Sequence, residues 1–330
     1  MANVDLDRVV PARLLFHTIQ QKTAELGTDH PKRFARRLVS SAKQYVALKN
    51  GTRANGAVIP ALRNIREMAP TVTQPLCLLL AVPQELRSTQ AHDELCRTLE
   101  SLSLVYGVTR ERWNRFESSL PALTRSLRAA ETDQDLRSVS DSIEAEHIQD
   151  RANEFWGALD DLRNVPDRTQ RFLLASIALS IQEGCRASEY RALPDLMTLS
   201  VEHVMPQCSL NDADVEGQAW REAMAVESGR EAERLVYRLG NLTLLASELN
   251  AMVGSKIFAL KAKTYADQPL LMTRSLVTDL RQGRRTGRRE FADTHDLYPF
   301  ENWSTAAIQS RHEFMLRLIG QRWPLLPPPP

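Results

Sequence analysis

Glu202 and His203 stand side by side at the end of a short alternating segment, Asn241 follows directly after Gly240, and Asn250 comes nine residues later. These residue types suit metal-assisted hydrolysis of a phosphodiester. A water molecule must lose a proton near neutral pH, and histidine is the side chain whose ordinary titration range fits that task. Charge developing on the phosphate and the leaving oxygen calls for a hard divalent cation, which carboxylate and carboxamide oxygens hold well. One asparagine on a second strand and another on a helix packed beside it would face the histidine across a small gap.

The elements that must position these residues follow from the local pattern. Thr198–Val201 alternates apolar with polar residues, as a half-buried strand does, and Pro206 would help to end it. Neighbouring strand residues point to opposite faces, so a ligand at 202 and a base at 203 need a bend or bulge to converge. A polar stretch rich in Asp and Glu runs from Ser209 to about Glu233, with Trp220 as its apolar anchor. Leu235–Leu245 (LVYRLGNLTLL) then reads as a second strand or strand pair, with Gly240 permitting a turn. Ser247 and Ser255 are each placed to cap a following helix, the second carrying Phe258, Lys261 and Tyr265. Residues 281–290 (RQGRRTGRRE) read as an exposed basic loop, and an amphipathic helix from Ser304 to about Arg322 follows. The terminal PPPP suits an extended polyproline tail.

Upstream, from residue 5 to about 190, apolar residues recur at helical spacing almost throughout. Pro31 suits a first helical turn. Later helices are expected at Ala91–Tyr106, Thr109–Ala130, Asp133–Gly157 and Pro166–Glu183, with Thr109 as an N-cap. This half holds no Gly-rich phosphate loop, no repeat and no other chemistry-bearing constellation. The expected fold class is mainly α with a small β element, a helical domain over 1–194 preceding a second domain over 195–330.

Composition excludes several classes. Of 330 residues, 43% are hydrophobic and 25% charged, the balance of an ordinary globular protein. The most apolar run, Pro75–Pro83, falls far short of the ~20 residues that cross a bilayer. The N-terminus lacks the basic-then-apolar pattern of a signal peptide, so a cytoplasmic location and no membrane partner are expected. Cys77, Cys96, Cys185 and Cys208 form no CxxC pair and have no histidine at zinc-ligand spacing, which speaks against disulfides and structural zinc. The net charge is only +1, yet residues 1–66 carry 12 Lys/Arg against 4 Asp/Glu, residues 67–190 carry 13 against 20, and residues 256–290 carry 9 against 3. Two basic regions separated by an acidic one suit a nucleic-acid footprint and suit solvated helix faces equally well.

SVEHVMPQ, Trp220, RLGNLTLLASELN, FALKAKTY and a closing helix with Arg311 and Trp323 together resemble the C-terminal nuclease domain of GmrSD-type restriction endonucleases, over about 195–325. The helical half resembles more loosely the segment upstream of that nuclease, most clearly in VYGVTRERWNRFESSLPAL. The resemblance implies an HNH (His-Me finger) domain of ββα-metal topology with added helices, acting on DNA in a restriction or phage-defence system. Relatives include modification-dependent enzymes and nicking enzymes coupled to DNA phosphorothioation. The resemblance makes His203 the general base, Glu202 and Asn250 ligands of Mg²⁺ or Mn²⁺, and Asn241 the residue that holds the loop and orients His203. It lays Lys256, Lys261 and Lys263 along the DNA backbone, and Arg284 and Arg285 belong to the basic cluster that would grip phosphate. Products would be 5′-phosphate and 3′-hydroxyl ends. A ParB-like NTPase domain or subunit is the usual partner, but its DGQQR-type motif is absent from this sequence. A single site cuts one strand per engagement, so double-strand cleavage would need a homo-oligomer or sequential nicks.

Plainer assignments exist for each residue. A lone histidine at a strand end is more often structural, and only its ordered companions reverse that weight. Asn241 after glycine also suits a left-handed turn, Asn250 a helix cap, and Glu202 a solvated strand position. The alternative for the whole chain is a non-catalytic DNA-binding or assembly subunit of an NTPase-coupled complex, and RNA as substrate stays open.

Overall fold

The computed structural model describes residues 14, 16–18, 20–21, 30–187, 191–281, 286–295, 297, 299–324 and 326. Arg284, Arg285 and the terminal PPPP lie outside the described residues. Contacts divide the chain into two compact units, Met1–Arg151 and Ala152–Pro330. Helices dominate both, and among the described residues the sheet is one antiparallel pair of strands in the second unit. That is the mainly α composition with a small β element expected from the sequence. All four cysteines are free thiols. No helix among the described residues is long and apolar enough to cross a membrane.

The first unit contains α1 (His30–Lys49), α2 (Pro60–Met68), α3 (Gln74–Leu79), α4 (Gln90–Thr109), α5 (Trp113–Arg128) and α6 (Asp133–Ile143). Helix α4 is its axis, with Leu95, Leu99, Leu102 and Val105 fully buried, and it packs against α2 and α6. Thr109 does not open α5. It closes α4, its hydroxyl donating to the Val105 carbonyl at 2.8 Å, and Arg110 then turns left-handed at φ 57°. Helix α6 begins with a reciprocal cap in which Thr132 and Asp135 each accept from the other's backbone N–H. The single helix expected over Asp133–Gly157 is interrupted by a wide π turn at Glu144–Ile148. That turn buries His147, which bonds the Tyr106 hydroxyl at 2.9 Å and Ser119 at 3.1 Å.

The second unit runs through α7 (Ala152–Ala158), α8 (Asp167–Gly184), α9 (Leu193–Leu196), β1 (Ser200–His203), α10 (Val215–Ala223), α11 (Gly229–Val236), β2 (Leu242–Leu245), α12 (Ser247–Val253), α13 (Phe258–Ala266), α14 (Leu271–Arg274), α15 (Thr286–Thr294) and α16 (Thr305–Arg322). Two strands cannot stabilise themselves in water. Here α8 packs against both, and all four β2 residues are buried.

Three stretches depart from the sequence-based expectation. The polar segment 209–233 forms α10 and most of α11, because Asp214 caps Gly217 N–H and Ser228 caps Glu231 N–H. Leu235 and Val236 therefore finish a helix, and only Leu242–Leu245 is strand. Within 281–290, the residues from Thr286 onward belong to α15 rather than to a loop. Ser304 caps α16 as expected, accepting from Ala307 N–H.

Histidines whose charged form is disfavoured by burial link this packing to pH. Burial pushes His92 and His203 down to about 4, helped by Arg53 at the first and Lys261 at the second. Burial and then Arg238 shift His312 in the same direction. The unfolded chain binds these protons near pH ~6.5, so the stabilisation is complete above that pH and is lost as pH falls toward 4. The thermal midpoint should drop steadily between pH 6.5 and 4, with His92→Gln flattening the profile. A midpoint independent of pH across that window would contradict the buried neutral state.

Candidate active site

Strand pairing is regular from Ser200↔Leu245 through His203↔Leu242. Without a bulge, Glu202 and His203 point to opposite faces of the pair. Glu202 turns inward and is 3% exposed. Its Oε1 accepts from the Lys261 ammonium at 2.7 Å and from the Tyr265 hydroxyl at 2.7 Å. Lys261 also donates to the His203 carbonyl at 2.9 Å and lies 5.8 Å from the centre of the Trp220 ring. Burial pushes the Glu202 carboxyl up and the Lys261 ammonium down, and the contact between them opposes both shifts.

Asn241 fixes the chain just beyond His203. Its backbone carbonyl accepts from Val204 N–H at 3.0 Å, and its Oδ1 accepts from Met205 N–H at 2.8 Å and the Trp303 indole at 3.0 Å. Its Nδ2 donates to the Met205 and Val236 carbonyls, each at 2.9 Å. With four bonds made, this fully buried amide is saturated. These bonds hold the loop, and none of them runs to the imidazole that the resemblance had Asn241 orient. Gly240 is required here because a Cβ would lie 2.2 Å from the Ile308 carbonyl oxygen on α16. From the same helix the buried Arg311 donates to the Gly240 and Leu242 carbonyls at 2.7 and 2.6 Å.

The imidazole of His203 meets the Tyr237 ring edge-on, with centroids 5.7 Å apart. Its Nε2 is buried with no hydrogen-bond partner among the described residues. The helix α12 is tied to β1 by Asn250, whose Nδ2 donates to Ser200 Oγ at 2.9 Å and the Val201 carbonyl at 3.0 Å. That leaves its Oδ1 without a recorded donor among the described residues. Lys256 and Lys263 are exposed, with the Lys256 ammonium on the Met252 carbonyl at 2.7 Å. Lys261, expected on the DNA backbone, is instead 0% exposed and belongs to the interior.

The plainer assignments fare poorly. Asn241 has no left-handed backbone, Asn250 lies inside α12 rather than at its cap, and Glu202 is not solvated. For the expected divalent ion, Glu202 is already engaged by Lys261 and Tyr265. Glu202 is the only carboxylate among the expected residues, and Lys261 neutralises it. No group of three or more His, Cys, Asp or Glu among the described residues is placed to hold a metal. Sequence reasoning missed the interior roles of Lys261, Tyr265 and Arg311. The signal was helical phase, since Phe258, Lys261 and Tyr265 fall on one buried face of α13, and Arg311 falls on the buried face of α16 beside Ile308 and Met315. Trp220, Trp303 and Trp323 are core residues.

The family model for GmrSD restriction endonucleases, C-terminal domain, matches residues 110–318, and the chain belongs to that family. No curated protein and no solved structure matches the chain.

The buried pair generates a thermodynamic cycle. Lys261→Met alone strands the Glu202 carboxyl and should cost about 3–5 kcal/mol in urea unfolding. Adding Glu202→Leu should recover most of that loss, because paired apolar replacement of a buried ion pair is close to neutral. Simple additivity of the two changes would show that the two groups do not act as a pair.

Proposed function

We propose that this member of the GmrSD C-terminal-domain family is a DNA endonuclease in which His203 accepts the proton of the attacking water. The family sets the coarse class, since a restriction endonuclease domain implies DNA as substrate. The observation that carries the finer reading is the His203 imidazole at the end of β1, whose Nε2 has no hydrogen-bond partner among the described residues, with burial and then Lys261 favouring its neutral form. A general base must be unprotonated to act, and its geometry must be fixed beforehand. Lys261 on the His203 carbonyl and Asn241 on residues 204 and 205 supply that fixity. The order β1, β2, α12, with Asn250 binding the helix to the first strand, supports a ββα arrangement of the HNH type.

In this reading Asn241 is a positioning residue, and Asn250 presents a carboxamide oxygen beside β1. Lys256 and Lys263 meet the DNA backbone from exposed positions. One base per chain makes nicking the elementary event, and a ParB-like NTPase partner would control when it occurs. One observation favours the second reading, a non-catalytic DNA-binding subunit: neutralisation of Glu202 by Lys261 leaves no free carboxylate for the expected Mg²⁺ or Mn²⁺.

Supercoiled plasmid separates the two. The wild-type chain with Mg²⁺ or Mn²⁺ should convert it to open-circular form, and His203→Ala should slow conversion by roughly 10²–10⁴-fold while remaining folded. Undiminished cleavage by the variant would remove His203 from the chemistry. No conversion under any metal, with or without an NTPase partner, would favour the binding subunit.

A further inference from the structure

The segment VYGVTRERWNRFESSLPAL has no part in the site above, yet once folded it carries a second constellation. Tyr106 on α4 and Ser119 on α5 approach one imidazole from two sides. His147 Nδ1 meets the Tyr106 hydroxyl at 2.9 Å, and its Nε2 meets Ser119 Oγ at 3.1 Å. Ser119 and His147 stand 28 positions apart in sequence, so only folding assembles the set. Phe116 meets the imidazole edge-on with centroids 5.2 Å apart, and Trp113 packs on Tyr106 at 5.0 Å.

Three features separate this set from ordinary core bonding. Helical serines tend to return their hydroxyl to the chain. Here Ser101, Ser103, Ser138, Ser140 and Ser180 donate to the carbonyl four residues back, and Ser118 donates to that of Arg115. Ser119 reaches the imidazole instead. His147 is placed by the π turn, a distortion that recurs at functional sites. A cavity of about 420 Å³ is lined by Ser118, Ser119 and His147 together with Arg115, Glu146 and Asp150. Ser119 is half-buried at this cavity, while His147 behind it is 3% exposed.

We propose that Ser119 and His147 form a nucleophile and base that cleave an activated carboxylic ester, with Tyr106 as the residue that positions the imidazole. A nucleophile, a base within hydrogen-bond reach and a third group that orients the base are the parts this chemistry needs. With Nδ1–H donating to the Tyr106 oxygen, the Nε2 lone pair accepts the Ser119 hydroxyl proton. Ser119 Oγ adds to the ester carbonyl carbon as that proton passes to Nε2. The bond from carbon to the leaving oxygen then breaks, and the departing alkoxide takes the proton. Water repeats the sequence at the acyl-serine, its proton passing through Nε2 back to Ser119 Oγ as the acid is released.

Burial pushes His147 down, so near neutral pH the ring is free to accept a proton. Burial pushes Tyr106 up to about 12, so it orients the ring as a neutral hydroxyl. A neutral orienting group supports the imidazolium less than a carboxylate does, which favours an ester with a good leaving group over an amide. Glu146 Oε2 lies 4.0 Å from Nε2 and favours the protonated ring. Arg115, whose guanidinium donates to Asp150 and the Glu146 carbonyl, stands in the same cavity.

The test is release of p-nitrophenolate from p-nitrophenyl acetate by the full chain, with the acetyl group located by peptide mass spectrometry. The wild type should release it faster than buffer does and carry acetyl on Ser119. Ser119→Ala should lose most of that excess, whereas Ser118→Ala should keep the wild-type rate. Removing the base with His147→Gln should slow release by roughly 10²–10⁴-fold. Tyr106→Phe should lower kcat with KM unchanged, a split that a purely structural hydroxyl would not give. Wild-type release no faster than buffer would overturn the proposal, as would undiminished release by Ser119→Ala. That variant removes only a hydroxyl from a half-buried position, so these two outcomes decide the question even if His147→Gln fails to fold. The assay contains no DNA, so its result is independent of the His203 assignment.

Discussion

A lysine ammonium with no solvent exposure has to be answered by the groups around it, and the way Lys261 is answered organises this site. Its bonds to Glu202 Oε1 and the His203 carbonyl join α13 to the last two residues of β1. A buried pair of this kind is a weak source of net stability, because desolvation consumes most of the Coulomb attraction. It defines geometry well, since neither partner can turn elsewhere without leaving a buried charge unpaired. Its positive charge also reaches the imidazole on the other face of the strand and helps to keep it neutral.

The saturated Asn241 amide does for the loop what Lys261 does for the strand. Between them, the backbone from His203 to Met205 is bonded at residues 203, 204 and 205. Trp303 and Arg311 extend that restraint to the C-terminal segment, and Gly240 lets α16 come close enough to make it. A two-stranded sheet would otherwise be a poor platform for the proposed base. Here it is clamped from α8, α13 and α16, so the rigidity comes from the helices that surround it.

The placing of the candidate residues was legible in the sequence because it follows local order: a short alternating run ending in Glu-His, then Gly-Asn, then an Asn in the next helix. What the sequence hid depends on phase and long-range partners. KAK in FALKAKTY reads as a basic surface, yet the spacing of Phe258, Lys261 and Tyr265 puts Lys261 on the buried face of α13. Glu202 and His203 are adjacent letters, and only the regular register shows that they diverge. Leu235–Asn241 has the composition of a strand, but the Ser228 cap commits its first residues to a helix and Arg311 shapes its turn.

The account turns on a neutral, pre-oriented imidazole at position 203, and nitrogen-detected NMR of the labelled chain observes that state directly, with His203→Ala providing the assignment. Titration of the folded protein should show a neutral His203 ring at pH 6.5 that takes its second proton only near pH 4. A His203 ring already doubly protonated at pH 6.5 would contradict both the buried geometry and its service as the base.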